Sequence, residues 1–128
     1  MASELRVNTL KDASGNNSVA MEYVAGGSAK AWVRFNASSG TPTADDSLNF
    51  SSFTDHATGN HTISFSSSFG NADYAFLIGA SVVGTDARVA YNTNDAPATG
   101  SFRIGTVNSS FSVTDATHSS AGFMGDLA

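Results

Sequence analysis

Apolar and polar residues alternate along most of this chain in short runs, and Ser, Thr, Asn, Gly and Asp cut the runs apart. Asp55–Phe65 is representative: a polar turn carrying Gly59-Asn60 leads directly into a strand that is apolar at every second residue. A period of two is the mark of a half-buried strand. Ala29–Phe35 repeats it, with Ala29, Ala31, Val33 and Phe35 on one face and Lys30, Trp32 and Arg34 on the other. Further strands are predicted over Leu5–Leu10, Val19–Val24, Leu48–Thr54, His61–Ser67, Ala87–Asn92, Ser101–Val107, Ser110–Thr114 and Gly122–Leu127. Within Leu48–Thr54 the apolar phase shifts between Phe50 and Phe53, which predicts a bulge near Ser51-Ser52. Tyr74–Val83 is apolar on both faces, the pattern of a central strand buried on two sides, with a bend at Gly79.

The breaks have turn chemistry. Lys11–Ser18 is a polar turn, Ala25-Gly26-Gly27-Ser28 interrupts the pattern, and Ala57–Asn60 closes a hairpin. Asn36–Asp46, with Pro42, and Asn94–Gly100, with Pro97, are the long loops. Short strands at a spacing of about ten residues specify an all-β antiparallel sandwich of jelly-roll type. Residues 1–27 form an N-terminal hairpin or arm and residues 28–128 the sandwich domain. The arm has few large apolar side chains, and an isolated two-stranded hairpin is marginal in water. It therefore has to dock on the main domain or on neighbouring chains, which favours a homo-oligomer.

Composition narrows the function classes. The chain has 128 residues, enough for one domain with a core of its own, and no Cys, so disulfides and thiolate metal sites are out. The net charge of −5, with six scattered Lys and Arg, argues against a nucleic-acid partner. No apolar run approaches the roughly 20 residues of a membrane span, so membrane insertion is not expected. The opening Met-Ala-Ser-Glu-Leu-Arg-Val lacks a basic-then-apolar signal pattern.

Ser3–Val19 reads Ser-Glu-Leu-Arg-Val-Asn-Thr-Leu-Lys-Asp-Ala-Ser-Gly-Asn-Asn-Ser-Val. It resembles the Val-x-Thr-Ile/Leu-x-Asp-x-Ser-Gly-Asn openings of bacteriophage tail-fibre and virion structural proteins, those of marine cyanobacterial phages in particular. Gly27–Asn36 resembles a segment that follows in the same proteins. Leu48–Gly79 is similar to their pattern of a Phe-containing strand ending in Ser-Ser-Phe-Thr-Asp, a Gly-rich turn, Thr-Val-x-Phe and Asn-Ala-Asp-Tyr-Ala. The resemblance covers residues 3–80. It implies a homotrimeric short tail fibre or knob of the virion that contacts a host surface glycan or protein and binds other tail or capsid proteins. It implies no cofactor and no catalytic residue. A head or neck decoration protein bound to the capsid, and a free carbohydrate-binding module, are the alternatives.

Three groups of residues are candidates for chemistry. Tyr91-Asn92-Thr93-Asn94-Asp95 places an aromatic at the mouth of a polar loop, so Tyr91, Asn92, Asn94 and Asp95 are candidate receptor contacts. Trp32, beside Lys30 and Arg34, is another; its competing role is a buried anchor within the protomer or at a subunit interface. His56 and His61 flank the hairpin turn and are read as framing it; facing each other with Asp55 nearby, they would as the alternative be weak metal ligands. His118 is expected on the surface. No nucleophile elbow, His-Glu-x-x-His or phosphate loop is present, and the expectation is a non-enzyme.

Overall fold

The structure is a computed structural model that describes residues 3–82, 86–93 and 95–128. Its elements run β1 (Thr9–Lys11), β2 (Ser18–Ala20), α1 (Met21–Gly27), β3 (Ala29–Asn36), β4 (Thr43–Leu48), β5 (Phe50–Ala57), β6 (Asn60–Phe65), β7 (Ala75–Ser81), β8 (Arg88–Asn92), β9 (Ser101–Asn108) and β10 (His118–Met124). Two antiparallel four-stranded sheets form the sandwich, in the orders β4-β3-β10-β7 and β5-β6-β9-β8. The all-β sandwich with an N-terminal hairpin, expected from the alternation, is the fold.

The core lies between the sheets, where the inward residues of the four middle strands meet. Ala31, Val33 and Phe35 of β3 and Ala121 and Phe123 of β10 come from one sheet. Ile63 and Phe65 of β6 and Phe102 and Ile104 of β9 come from the other. Phe65, Phe69, Tyr74, Phe102 and Phe123 join edge to face or tilted, with ring centroids between 4.5 and 5.9 Å apart. Tilted and T-shaped contacts suit the ring quadrupole and add to the area buried.

Several strand expectations need correction. The polar stretch expected to be loop up to Asp46 contains β4, an edge strand whose residues are mostly exposed, so neither face carries an apolar signature. Leu48–Thr54 is not one strand. Asn49 adopts φ 53°, and its side chain donates to Ser67 O (3.0 Å) and accepts from Ser67 N–H (2.6 Å). Asn enters the left-handed region more readily than other side-chain-bearing residues; here the bonds to distant Ser67 hold it where the chain passes from one sheet to the other. The bulge is present: pairing with β6 skips from Phe50 to Ser52.

β7 is the largest departure. It is an edge strand, bonded to β10 on one side, and runs straight through Gly79. Phe76 and Ile78 point toward the core, while Leu77 is 67% exposed. Its second apolar face is therefore open, not buried. Ser110–Thr114 is a turn closed by two N–H donations to Asn108 Oδ1, with one bridge from Val113 to Val107. The final strand is β10, which begins four residues earlier than expected and pairs with both β3 and β7. Val19–Val24 divides into β2 and the seven-residue α1.

In the arm, Leu10 pairs with Val19, and Asp12 closes the turn by accepting from Asn16 N–H (3.0 Å) and Asn17 Nδ2 (2.7 Å). These donors, the Asn17 amide foremost, hold the Asp12 carboxyl below its usual range. Helix α1 buries none of its residues.

Gly59 ties the lower end of the sandwich together. At φ +65° it forms the two-residue turn between β5 and β6, and a Cβ there would lie 2.6 to 2.8 Å from backbone atoms of Thr106 and Thr114. Its carbonyl accepts from Thr106 N–H (2.8 Å), and its N–H donates to Asp115 Oδ1 (2.6 Å). Only glycine combines that backbone angle with that approach.

The Tyr74 hydroxyl donates to the Ala98 and Ser101 carbonyls (3.1 and 3.0 Å), and burial pushes its pKa up to about 12. The unfolded phenol titrates near 10. The folded state thus holds the proton more tightly, and this contribution is complete below about pH 10 and drains away as pH rises through about 12. Tyr74→Phe is expected to cost about 1 kcal/mol at neutral pH and to flatten the alkaline fall in stability, measured by urea unfolding across neutral and alkaline pH.

Candidate functional site

Register builds a polar bowl on the outer face of the β5-β6-β9-β8 sheet. Gly105 of β9 pairs with Asn60 on one side and Tyr91 on the other. Two residues along β9, Arg103 pairs with Thr62, and its carbonyl accepts from Thr93 N–H (3.4 Å). Side chains two apart on a strand share a face. Asn60, Tyr91, Thr93 and Arg103 therefore surround one depression of about 260 Å³, which Asp95 completes from the following loop.

The Tyr91 ring lies over Gly105: a Cβ there would fall 2.7 Å from its Cε1. A glycine in mid-strand marks a close approach, and here an aromatic ring occupies the space, supported from below by backbone. Arg103 donates from Nε to Asn60 Oδ1 (2.8 Å) and from Nη1 to the Asp95 carboxylate. The guanidinium is fixed from two directions and its charge is matched by Asp95. The bowl offers an aromatic face, a paired cation and anion, an amide and a hydroxyl, with no net charge.

The predicted residues separate. Tyr91 and Asp95 share the bowl. Asn92 precedes Thr93 on β8 without lining it, and Asn94 lies outside the described residues. Trp32 is half-buried on the outer face of the other sheet, so it and Tyr91 belong to opposite surfaces of the sandwich. Asn60 and Arg103 are distant in sequence from the Tyr91 loop, and only strand register brings them in. Gly105, small in an otherwise large-residue strand, is the sequence signal that marks the place.

His56 and His61 do not face each other. His56 is on the outer face, with Nε2 2.9 Å from Thr62 Oγ1. His61 points inward and is 1% exposed, its ring edge-on to Phe35 at 6.2 Å. Its Nδ1 is 3.3 Å from Asp55 Oδ1, and its Nε2 3.4 Å from Asp115 Oδ1. The carboxylates lie off opposite ring nitrogens and share no point where an ion could sit. Among the described residues no group of three His, Cys, Asp or Glu side chains is placed to hold a metal. His61 thus lies between core and turn, reaching toward the same Asp115 that binds Gly59. His118 opens β10 beside Arg34, 3.5 Å from its Nη2.

No helix among the described residues is long and apolar enough to cross a membrane. No family model, curated protein or solved structure matches the chain.

The seat under Tyr91 is testable without touching the ring. Gly105→Ala should displace Tyr91, shift its ring resonances in NMR spectra, and cost about 1–3 kcal/mol through overpacking. Unchanged Tyr91 resonances would contradict the contact.

Proposed function

We propose that this chain is a structural protein of a phage virion, a short tail fibre or fibre knob assembled as a homotrimer, which contacts the host surface by binding neutral glycan in the Tyr91 bowl. The observation that carries the binding role is the Tyr91 ring seated on Gly105 beside the Arg103–Asp95 pair. A sugar ring presents an apolar C–H face and a rim of hydroxyls, each able to donate and accept. Tyr91 matches the face. Asp95 and Asn60 accept, and Arg103 donates, around the rim. Because Asp95 matches the Arg103 charge, the bowl suits neutral sugars better than sulfated or carboxylated ones.

The resemblance of residues 3–80 to tail-fibre and virion proteins supports the setting. The exposed arm supports assembly, since Leu5, Val7, Leu10, Val19 and Tyr23 stay exposed in the protomer. One shallow bowl binds weakly, at about millimolar Kd. Three copies per fibre and several fibres per particle raise the effective concentration enough for attachment.

Titration against arrays of neutral and acidic oligosaccharides tests this. Neutral glycans should bind, Tyr91→Ala should weaken binding at least about tenfold, equivalent to ~1.4 kcal/mol, and Tyr91→Trp should retain it. Equal binding by wild type and Tyr91→Ala, or preference for acidic glycans, would contradict the assignment. Antibody labelling of particles should mark the tail; labelling of the head would remove the fibre role.

A further inference from the structure

The outer face of the β4-β3-β10-β7 sheet carries a line of apolar neighbours across all four strands. Leu48 pairs with Trp32, Trp32 with Gly122, and Gly122 with Leu77. Leu48 is 49% and Leu77 67% exposed. Nothing stands within 4 Å of where a Gly122 Cβ would be, so Trp32 and Leu77 form the walls of a shallow groove floored by backbone. In the row beside it Met124 and Ala75 are apolar, and Lys30 bounds them on β3, where the pairing with β10 shifts at Phe123/Met124. On its other side the surface turns polar, through Arg34, Ser120 and Gly79.

The same chain holds a second unpartnered apolar surface. In the arm, Leu5, Val7, Leu10, Val19 and Tyr23 are all exposed, and α1 buries nothing. Among the described residues the arm's hydrogen bonds to the sandwich strands are confined to its junction, where Lys30 Nζ reaches the Ala25 carbonyl. Charge adds direction. On β3, Lys30 and Arg34 flank Trp32; Arg34 lies 3.5 Å from Asp45, while Lys30, among the described residues, meets only neutral oxygens. Helix α1, unlike the chain before it with Arg6 and Lys11, carries Glu22 and no basic residue in its last turn.

We infer that the groove between Trp32 and Leu77 receives the N-terminal arm of a second copy of this chain. Among the described residues neither arm nor groove is covered within one protomer, yet every copy has both. Passing the arm to a neighbour covers the two surfaces at once, and around a closed ring no arm or groove is left over. The inference rests on the oligomeric part of the proposed function and specifies which surfaces make it.

The chain has no Cys, so single cysteines report cleanly. Gly122→Cys, placed in open space, is mixed at full length with a mass-tagged Leu10→Cys or Tyr23→Cys chain and oxidised. A disulfide forms only where Cα atoms approach within about 7 Å. Cross-linked heterodimers are expected with at least one arm variant. A partner bearing Val89→Cys, exposed on the opposite sheet, should give none. Leu77→Asp, at an exposed position, should leave the far-UV circular dichroism unchanged and weaken association at least about tenfold, read by light scattering. An oligomer without arm-to-groove cross-links, or one indifferent to Leu77→Asp, would overturn the inference while leaving the trimeric reading intact. A monomeric wild type would overturn both.

Discussion

The close approach of Gly59 to the backbone of Thr106 and Thr114 is the constraint on which the rest of the molecule depends. A turn alone could tolerate several residues. This turn cannot, because the chain leaving β9 passes directly against it. The Thr106 N–H bond to the Gly59 carbonyl fixes how β6 and β9 are aligned. The bond from Gly59 N–H to Asp115, with Thr106 Oγ1 donating to the Thr114 carbonyl (2.5 Å), anchors the segment that carries the chain across to the other sheet. That segment delivers β10, the strand that joins β3 to β7. One contact thereby serves both layers.

The surface bowl inherits its geometry from the same place. Asn60 follows Gly59, and Gly105 precedes Thr106. Their pairing puts the Asn60 amide within reach of Arg103 and leaves the space over Gly105 for Tyr91. Asn60 and Arg103 are preorganised on strands, and Arg103 holds Asp95 of the following loop, which limits the ordering cost of binding. His61 couples this region to the core through Phe35 and the two flanking carboxylates.

What could be read from the sequence follows from where each strand sits. β3 and β6 are middle strands with one face on the core, so their alternation is clean, whereas β9 alternates only up to Ile104 and is then buried through Val107. β4 was hidden because an exposed edge strand of Thr, Ala, Asp and Ser has no apolar face to betray it. β7 misled in the opposite sense: Leu77 gave it two apolar faces, which looks like two-sided burial but belongs to an edge with an open surface. Helix α1 was masked by Tyr23 and Val24, which favour strands, and by the glycines that end it. At the site, Tyr91 and Asp95 were legible because they are close in sequence, whereas Asn60 and Arg103 arrive through register between distant strands. The two histidines frame the turn without facing each other, because a hairpin bulge between Asp55 and Ala57 sets His56 and His61 on different faces.

The most direct measurement is amide hydrogen exchange of the Gly59→Ala variant under conditions where it remains folded. If Gly59 anchors both layers, protection should fall together in β6, in the Thr106–Asp115 crossing and in β10 of the opposite sheet, with the Tyr91 and Arg103 resonances shifting as well. Loss of protection confined to the Ala57–Asn60 turn, with β10 and the bowl unchanged, would contradict the account.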